Sequence, residues 1–257
     1  MKFTFLGTGT SQGVPVIACP CPVCQSNDSR DKRLRTSALI EHNGTTIAID
    51  AGPDFRQQML TAKVKSLNAI LLTHEHRDHI AGLDDVRAFN WVHQKPMDVW
   101  AEHRVQESLR KEFAYVFADS KYPGIPEIMI NNIDGHPFEV NSLKVIPIRG
   151  YHHKLPIYGF RIGDITYITD ANFIPEEEKE KIVGTKYLIL NALRHKKHMS
   201  HFCLPEAIKF ISDFSPRKGY ITHISHQMGL NADVSKELPD NICLAYDGLS
   251  FEVESNH

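Results

Sequence analysis

Four potential metal ligands, His74, His76, Asp78 and His79, fall within the short stretch Thr73-His74-Glu75-His76-Arg77-Asp78-His79. They follow directly on Asn68-Ala69-Ile70-Leu71-Leu72, an apolar run of strand length. A buried strand that opens onto His and Asp serves a hydrophobic core poorly. Neutral imidazole nitrogens and carboxylate oxygens are instead what a divalent ion such as zinc or manganese prefers. A chain built around this stretch must end a strand there and bring further ligands to the same edge. With 15 histidines, it has residues to bring.

The rest of the composition narrows the possibilities. At 257 residues with 42% hydrophobic content, the chain can enclose a substantial core, and it reads as one domain over 1–257. The 29 basic and 31 acidic residues leave a net charge of −2, which is not the electrostatic footprint of a chain that binds long nucleic acid. No apolar run approaches the ~18 residues of a membrane-spanning helix. There are five cysteines, and three of them, Cys19, Cys21 and Cys24, crowd into one segment. Neighbours in Cys-x-Cys cannot easily bridge each other, so the chain reads as reduced and cytoplasmic.

Turn signals and periodicity divide the chain into many short strands with helices between them. Phe3–Leu6 reads as a first strand that ends at Gly7 and Gly9. A mostly irregular, cysteine-bearing loop covers about 10–37. Asn43-Gly44 predicts a hairpin between strands Ser37–Glu41 and Thr46–Asp50. Helices are expected over Asp54–Lys63, Ile80–Asn90, Arg104–Ala118, Pro175–Val183 and Pro205–Phe214. Further strands are expected at Met97–Ala101, Leu143–Ile148, Ile157–Ile162, Ile165–Thr169, Lys186–Leu190, Lys218–Thr222, Asn241–Tyr246 and Leu249–Val253. Residues 119–136 are turn-rich. Helices interspersed among strands in both halves lead to two sheets covered by helices, a four-layer αββα sandwich of the α/β class.

His-x-His-x-Asp-His after a buried strand resembles the metallo-β-lactamase superfamily. Asp50, His153, Asp170 and His223, each at or near an expected strand end, fall in that family's order. The resemblance implies two catalytic divalent ions, zinc or manganese. His74, His76, His153 and Asp170 would hold one of them, and Asp78, His79, Asp170 and His223 the other. Asp50 would sit behind the ligands and fix an imidazole tautomer. Of the adjacent pair His152 and His153, the second is chosen. His153-Lys154-Leu155-Pro156-Ile157-Tyr158-Gly159-Phe160 resembles a His-x-x-Pro-x-x-Gly-aromatic segment of ribonuclease Z-type members, which leaves His152 as a polar loop residue.

Gly7-Thr8-Gly9-Thr10-Ser11-Gln12-Gly13-Val14-Pro15 is similar to the PhnP-type phosphodiesterases of the carbon–phosphorus lyase pathway. So are the cysteine cluster and Thr222-His223-Ile224-Ser225-His226-Gln227. That branch implies a structural zinc on Cys19, Cys21, Cys24 and His226, and a functional histidine at His201. His198 and Lys197 could bind a further phosphate. The implied activity is hydrolysis of a small cyclic or nucleotide-like phosphodiester, such as 5-phosphoribosyl 1,2-cyclic phosphate. A ribonuclease Z-like tRNA 3′ endonuclease and a zinc-stabilised binding scaffold stand as alternatives, and a homodimer is compatible with the family.

Overall fold

The structure, a computed structural model, describes residues 1–119 and 122–253. The strands of the first half are β1 (Lys2–Gly7), β2 (Ser37–His42), β3 (Thr45–Ile49), β4 (Ala69–Leu71), β5 (Met97–Ala101) and β6 (Ile128–Asn132). The second half holds β7 (Phe138–Val140), β8 (Leu143–His152), β9 (Leu155–Ile162), β10 (Ile165–Ile168), β11 (Tyr187–Asn191), β12 (Lys218–Thr222), β13 (Ile242–Leu244) and β14 (Ser250–Glu252). Among the described residues the α-helices are α1 (Pro22–Gln25), α2 (Phe55–Thr61), α3 (Arg77–Ile80), α4 (Arg87–His93), α5 (His103–Glu112), α6 (Glu176–Lys179), α7 (Leu204–Phe214) and α8 (Asn231–Val234).

The strands form two seven-stranded sheets, in the orders β14-β1-β2-β3-β4-β5-β6 and β13-β12-β11-β10-β9-β8-β7. Alternation along each strand builds the layers. Ala38, Ile40, Ile47, Ile49, Ala69 and Leu71 share a cluster with Phe160, Tyr167 and Ile189 of the second sheet. Their neighbours Leu39, Ala48, Ile70 and Leu72 pack the other way, with Phe55 of α2 and Val105 and Leu109 of α5. On the far side, Leu188, Leu190 and Ile221 pack with Leu204, Ala207 and Ile211 of α7. Helix, sheet, sheet, helix is the four-layer α/β sandwich expected from the sequence. Phe3, Phe5 and Tyr167 are enclosed between the sheets. Truncating any one of them to alanine would cost about 3–5 kcal/mol.

Several elements differ from expectation; the helix expected over Pro175–Val183, for one, is reduced to α6, Glu176–Lys179. The helix expected over Ile80–Asn90 is broken into α3, a 3-10 turn at Leu83–Val86, and α4. The break sits at Gly82, whose N–H donates to Ala51 O at 2.8 Å; a Cβ there would lie 2.0 Å from Gly52 O. The chain bends so that α3 can lie against the exit of β3. The helix expected over Arg104–Ala118 stops at Glu112. β8 runs on past Ile148 and stays in register with β9 as far as His152↔Leu155. β6 is a half-exposed edge strand, parallel to β5, within the turn-rich stretch 119–136. Residues 120 and 121 of that stretch, like residues 254–257 of the expected single domain, lie outside the described residues.

Strands β3, β4 and β5 run parallel, as do β10, β11 and β12. Asp50, the Thr73–His79 loop, Asp170 and His223 follow directly on the carboxyl ends of β3, β4, β10 and β12. In open α/β sheets these ends are where ligands bind.

Candidate functional site

Asp50, Asp170 and His223 lie just beyond their strands, and all three have left-handed backbone, with φ of 64°, 60° and 54°. Such a conformation strains a residue with a side chain and recurs where function requires it. The surroundings hold it in place. Asp50 N–H donates to Leu71 O at 2.9 Å. Ala171 N–H donates to Asn191 Oδ1 at 2.7 Å, and Asn191 Nδ2 donates back to Ala171 O at 2.9 Å.

The hydrogen bonds select one nitrogen on each of three imidazoles. The buried Thr73 hydroxyl donates to Asp50, 2.9 Å from Oδ2, and so accepts from His74 Nδ1, also at 2.9 Å. His79 Nδ1 donates to Asp50 Oδ2 at 2.7 Å. His152 Nδ1 lies 2.9 Å from both Asp170 O and Ser200 O, which are acceptors only. In each ring Nε2 is therefore the free lone pair. His74 Nε2 and His79 Nε2 are buried without a hydrogen-bond partner, as is His201 Nδ1. Orphaned buried nitrogens are costly unless something else binds them.

These atoms meet at Asp170. Ligand atoms within 4.8 Å of one another form three groups: His74, His79 and Asp170; His152, Asp170 and His201; Asp78, Asp170 and His223. His79 Nε2 lies 3.1 Å from Asp78 Oδ2 and 3.3 Å from Asp170 Oδ2, and His223 Nδ1 lies 3.0 Å from the latter. Ligand atoms bound to one ion at tetrahedral or octahedral angles stand about 3.0–3.5 Å apart, so this donor set fits divalent metal. The charges agree. Burial opposes ionisation of Asp170, but His223 and His79 beside it hold the carboxyl well below its ordinary range. Burial pushes the His74 ring well below ordinary histidine values. Burial, reinforced by His223, pushes His201 down to about 3.

One expected ligand is displaced. His153 is exposed and belongs to none of these groups, whereas His152 does. The His152 ring lies 5.9 Å from His74, 5.1 Å from His76 and 4.5 Å from His201, between centroids. The cause is the length of β8. His152 is the strand's last residue and turns inward, while His153 begins the hairpin turn and faces out. His76 is exposed and lies 4.6 Å from His74 by ring centroid, outside the three tight groups. The His198 ring lies 5.2 Å from that of His201, tilted by 36°. Lys197 is turned away, its ammonium 3.6 Å from Glu206 of α7.

A second cluster lies on the neighbouring loop. Sγ of Cys19, Cys21 and Cys24 lies 3.3, 3.4 and 3.6 Å from His226 Nδ1. Zn–S bonds of about 2.3 Å and a Zn–N bond of about 2.0–2.1 Å at tetrahedral angles give an S···N edge of about 3.6 Å. The four residues therefore fit a closed zinc site. Cys21 caps α1, and the Cys24 N–H it accepts, with His226 beside it, lowers its thiol to about 6. Burial pushes Cys24 up to about 11.

Several supporting residues carry no pattern in the sequence. Thr73, Asn191, Asn172, which accepts from the His153 N–H at 2.7 Å, and the pair Glu75–Arg104, which joins the Thr73–His79 loop to α5, each act through one or two hydrogen bonds, and no spacing or periodicity marks them. His152 alone had a readable signal, its adjacency to His153.

The comparisons place this geometry among known proteins. Residues 45–224 match the family model described as the beta-lactamase superfamily domain. The crystal structure of a diphosphatase from the PhnP family superposes with a TM-score of 0.92 at 36% identity, over 98% of each chain. An octanoyltransferase of Porphyromonas gingivalis is 42% identical over 252 residues, which are 97% of this chain and 51% of that protein. A ribonuclease Z of Bacillus thuringiensis is 29% identical over 167 residues, 63% of this chain and 49% of the relative. The chain thus spans about half the length of the curated relatives it matches.

Proposed function

The chain belongs to the beta-lactamase superfamily, and on that premise we propose that it is a two-metal hydrolase of a small phosphodiester. The observation that carries this reading is Asp170, whose carboxylate is common to all three ligand groups. His74, His76, His152 and Asp170 are assigned to one ion, and Asp78, His79, Asp170 and His223 to the other. Cys19, Cys21, Cys24 and His226 are assigned to a separate structural zinc. Ions bound at the paired site would supply the charge that activates water and neutralises phosphate oxygens.

The protein's own groups do the rest. Asp50 and Thr73 hold His74 and His79 in the tautomer that leaves Nε2 free. His201 is neutral at ordinary pH, so it assists the departing oxygen as a hydrogen-bond donor rather than as an imidazolium acid. In the net reaction water adds to phosphorus, the P–O bond to the leaving group breaks, and a proton ends on the leaving oxygen.

A cyclic ribose phosphate such as 5-phosphoribosyl 1,2-cyclic phosphate is the substrate proposed, supported by the PhnP-family likeness. That neighbour is described as a diphosphatase, so a phosphoanhydride belongs in the same substrate panel, and the ribonuclease Z relative brings in precursor tRNA. Metal-quantified protein should hydrolyse bis(p-nitrophenyl) phosphate and lose that activity on chelation. Asp170→Ala should lower kcat at least about 10³-fold. Undiminished turnover in that variant would overturn the mechanism, and cleavage of precursor tRNA at catalytic enzyme concentration without turnover of small diesters would overturn the substrate class.

A further inference from the structure

Thr4 and Gln58 are polar side chains buried on the apolar, helix-facing side of the first sheet. Thr4 stands between Phe3 and Phe5 on β1, so alternation turns it away from the layer between the sheets. Gln58 lies on α2, the helix that packs over that side. The two residues are only 8% and 2% exposed. The Gln58 amide nitrogen donates to Arg35 O at 2.8 Å, and because a carbonyl only accepts, the orientation of the amide is fixed. Gln58 Oε1 and Thr4 Oγ1 are then both buried without a hydrogen-bond partner among the described residues. Orphaned buried oxygens are costly unless something binds them.

Both residues line one cleft of about 270 Å³. Leu6 and Leu39 of the sheet, with Ala62 at the end of α2, give it apolar surface. Asp247 contributes a carboxylate, which accepts from the Thr8 hydroxyl at 2.7 Å and from the Leu34 N–H at 2.6 Å and keeps lone pairs for further donors. Burial pushes this carboxyl up to about 6, and Arg33 reaches it through the Thr8 hydroxyl, 2.8 Å from the guanidinium. Lys2 is the one cation among the described lining residues, and it is paired with Glu41 at 3.0 Å. The cleft thus presents acceptors and negative charge beside apolar surface, and an anion would meet no unpaired cation there. None of its lining residues belongs to the ligand groups around Asp170.

We propose that this cleft is a second binding site, built for a small organic cation of the amine or amidine class. Its N–H groups would donate to Gln58 Oε1, Thr4 Oγ1 and Asp247, and its carbon frame would cover Leu6, Leu39 and Ala62. Such a ligand is opposite in charge to a phosphate ester, and the site stands independently of the phosphodiesterase reading above.

Benzamidine and benzoate test it on the metal-loaded protein, because they share a phenyl frame and differ in the sign of their charge. In an NMR titration benzamidine should bind one equivalent with a Kd of about 1 mM or tighter, as suits a ligand of that size. It should move the backbone amides of β1, β2 and α2 and the side-chain amide of Gln58. Benzoate should bind at least about tenfold more weakly. Thr4→Val keeps the volume and should weaken benzamidine about tenfold, the loss of one hydrogen bond to a charged group. Ala62→Phe fills the cleft and should abolish binding, with unchanged amide shifts in the second sheet showing that each variant is folded. No binding of benzamidine, equal affinity for benzoate, or an affinity that survives both substitutions would overturn the site. Shifts centred instead on the Thr73–His79 loop would overturn it as well, because they would put the cation at the ligand cluster.

Discussion

Thr73 decides which nitrogen of His74 is free. Its hydroxyl has one proton, which goes to Asp50, so toward His74 it can only accept. A valine there would keep the volume and lose the selection. The carbonyls of Asp170 and Ser200 impose the same choice on His152. Donors oriented in this way bind metal more tightly than free imidazoles, because partners of the ligands commonly contribute 10–100-fold in affinity. The adjacent pair at 152 and 153 therefore separates cleanly by experiment. His152→Ala should lose about one equivalent of metal from the paired site and lower turnover at least about 10²-fold. His153→Ala should keep its metal. Elemental analysis of the two purified variants decides the matter, and the assignment fails if metal is lost from the second and kept in the first.

Between elements, the two sheets are tied together beside the site. Arg104 at the start of α5 pairs with Glu75 of the ligand loop, and its Nη2 donates to Pro156 O of β9 at 2.6 Å. Glu102 holds Arg149 of β8 by two bonds of 3.0 and 2.8 Å. Tyr158 N–H donates to Thr73 O at 3.0 Å. The clasp thus sets the distance between the loop bearing His74 and His76 and the hairpin bearing His152. Glu75 and Arg104 are only about a fifth to a third exposed. Losing one partner leaves the other poorly solvated, at a cost of about 1–3 kcal/mol. Glu75→Gln and Arg104→Met should each destabilise by that amount, and the double variant by less than their sum. A coupling energy below about 0.5 kcal/mol in that cycle would mean that the pair does not act as a clasp.

The same scale separates what the sequence makes legible from what it hides. Asn43-Gly44 marks its hairpin because the turn chemistry is local. The length of β8 is not marked. Arg149-Gly150-Tyr151-His152 has no apolar alternation, because there the strand leaves the core for the site, and so His152 reads as a loop residue and its neighbour His153 as the ligand. The break at Gly82 is equally hidden, being set by contact with Gly52, thirty positions earlier. Candidate ligands at fixed spacing, by contrast, announce themselves: His74, Asp78 and His79 all reach the groups around Asp170, and His76 lies beside His74.

At the scale of the whole molecule, the cysteine cluster reaches the catalytic edge along one continuous path. Ile224 N–H donates to Thr8 O at 2.8 Å, so the strand end bearing His223 is bonded to the entry of the long loop. Deeper in, Arg33 donates to the Thr8 hydroxyl at 2.8 Å, and Thr8 donates to Asp247 Oδ1 at 2.7 Å. From His226 the path turns to the other side of the site. Arg194 donates to Gln227 Oε1 at 2.7 Å, and His195 Nε2 donates to Met228 O at 2.8 Å. Both contacts anchor the loop that carries His198 and His201. A zinc held by Cys19, Cys21, Cys24 and His226 would therefore fix the His226 turn, and through it the position of His201. Cys24 is the buried member of that group, so its loss cannot be made good by solvent. Cys24→Ser should release one zinc and cost about 3 kcal/mol or more, a fall in Tm of roughly 10 °C for a chain of this size. Turnover should fall as well, while the paired site still binds two ions. The informative measurement is kcat on samples with the paired site saturated, taken well below the variant's Tm. A variant that loses the zinc yet retains full kcat would show that the cluster stabilises the fold without positioning His201.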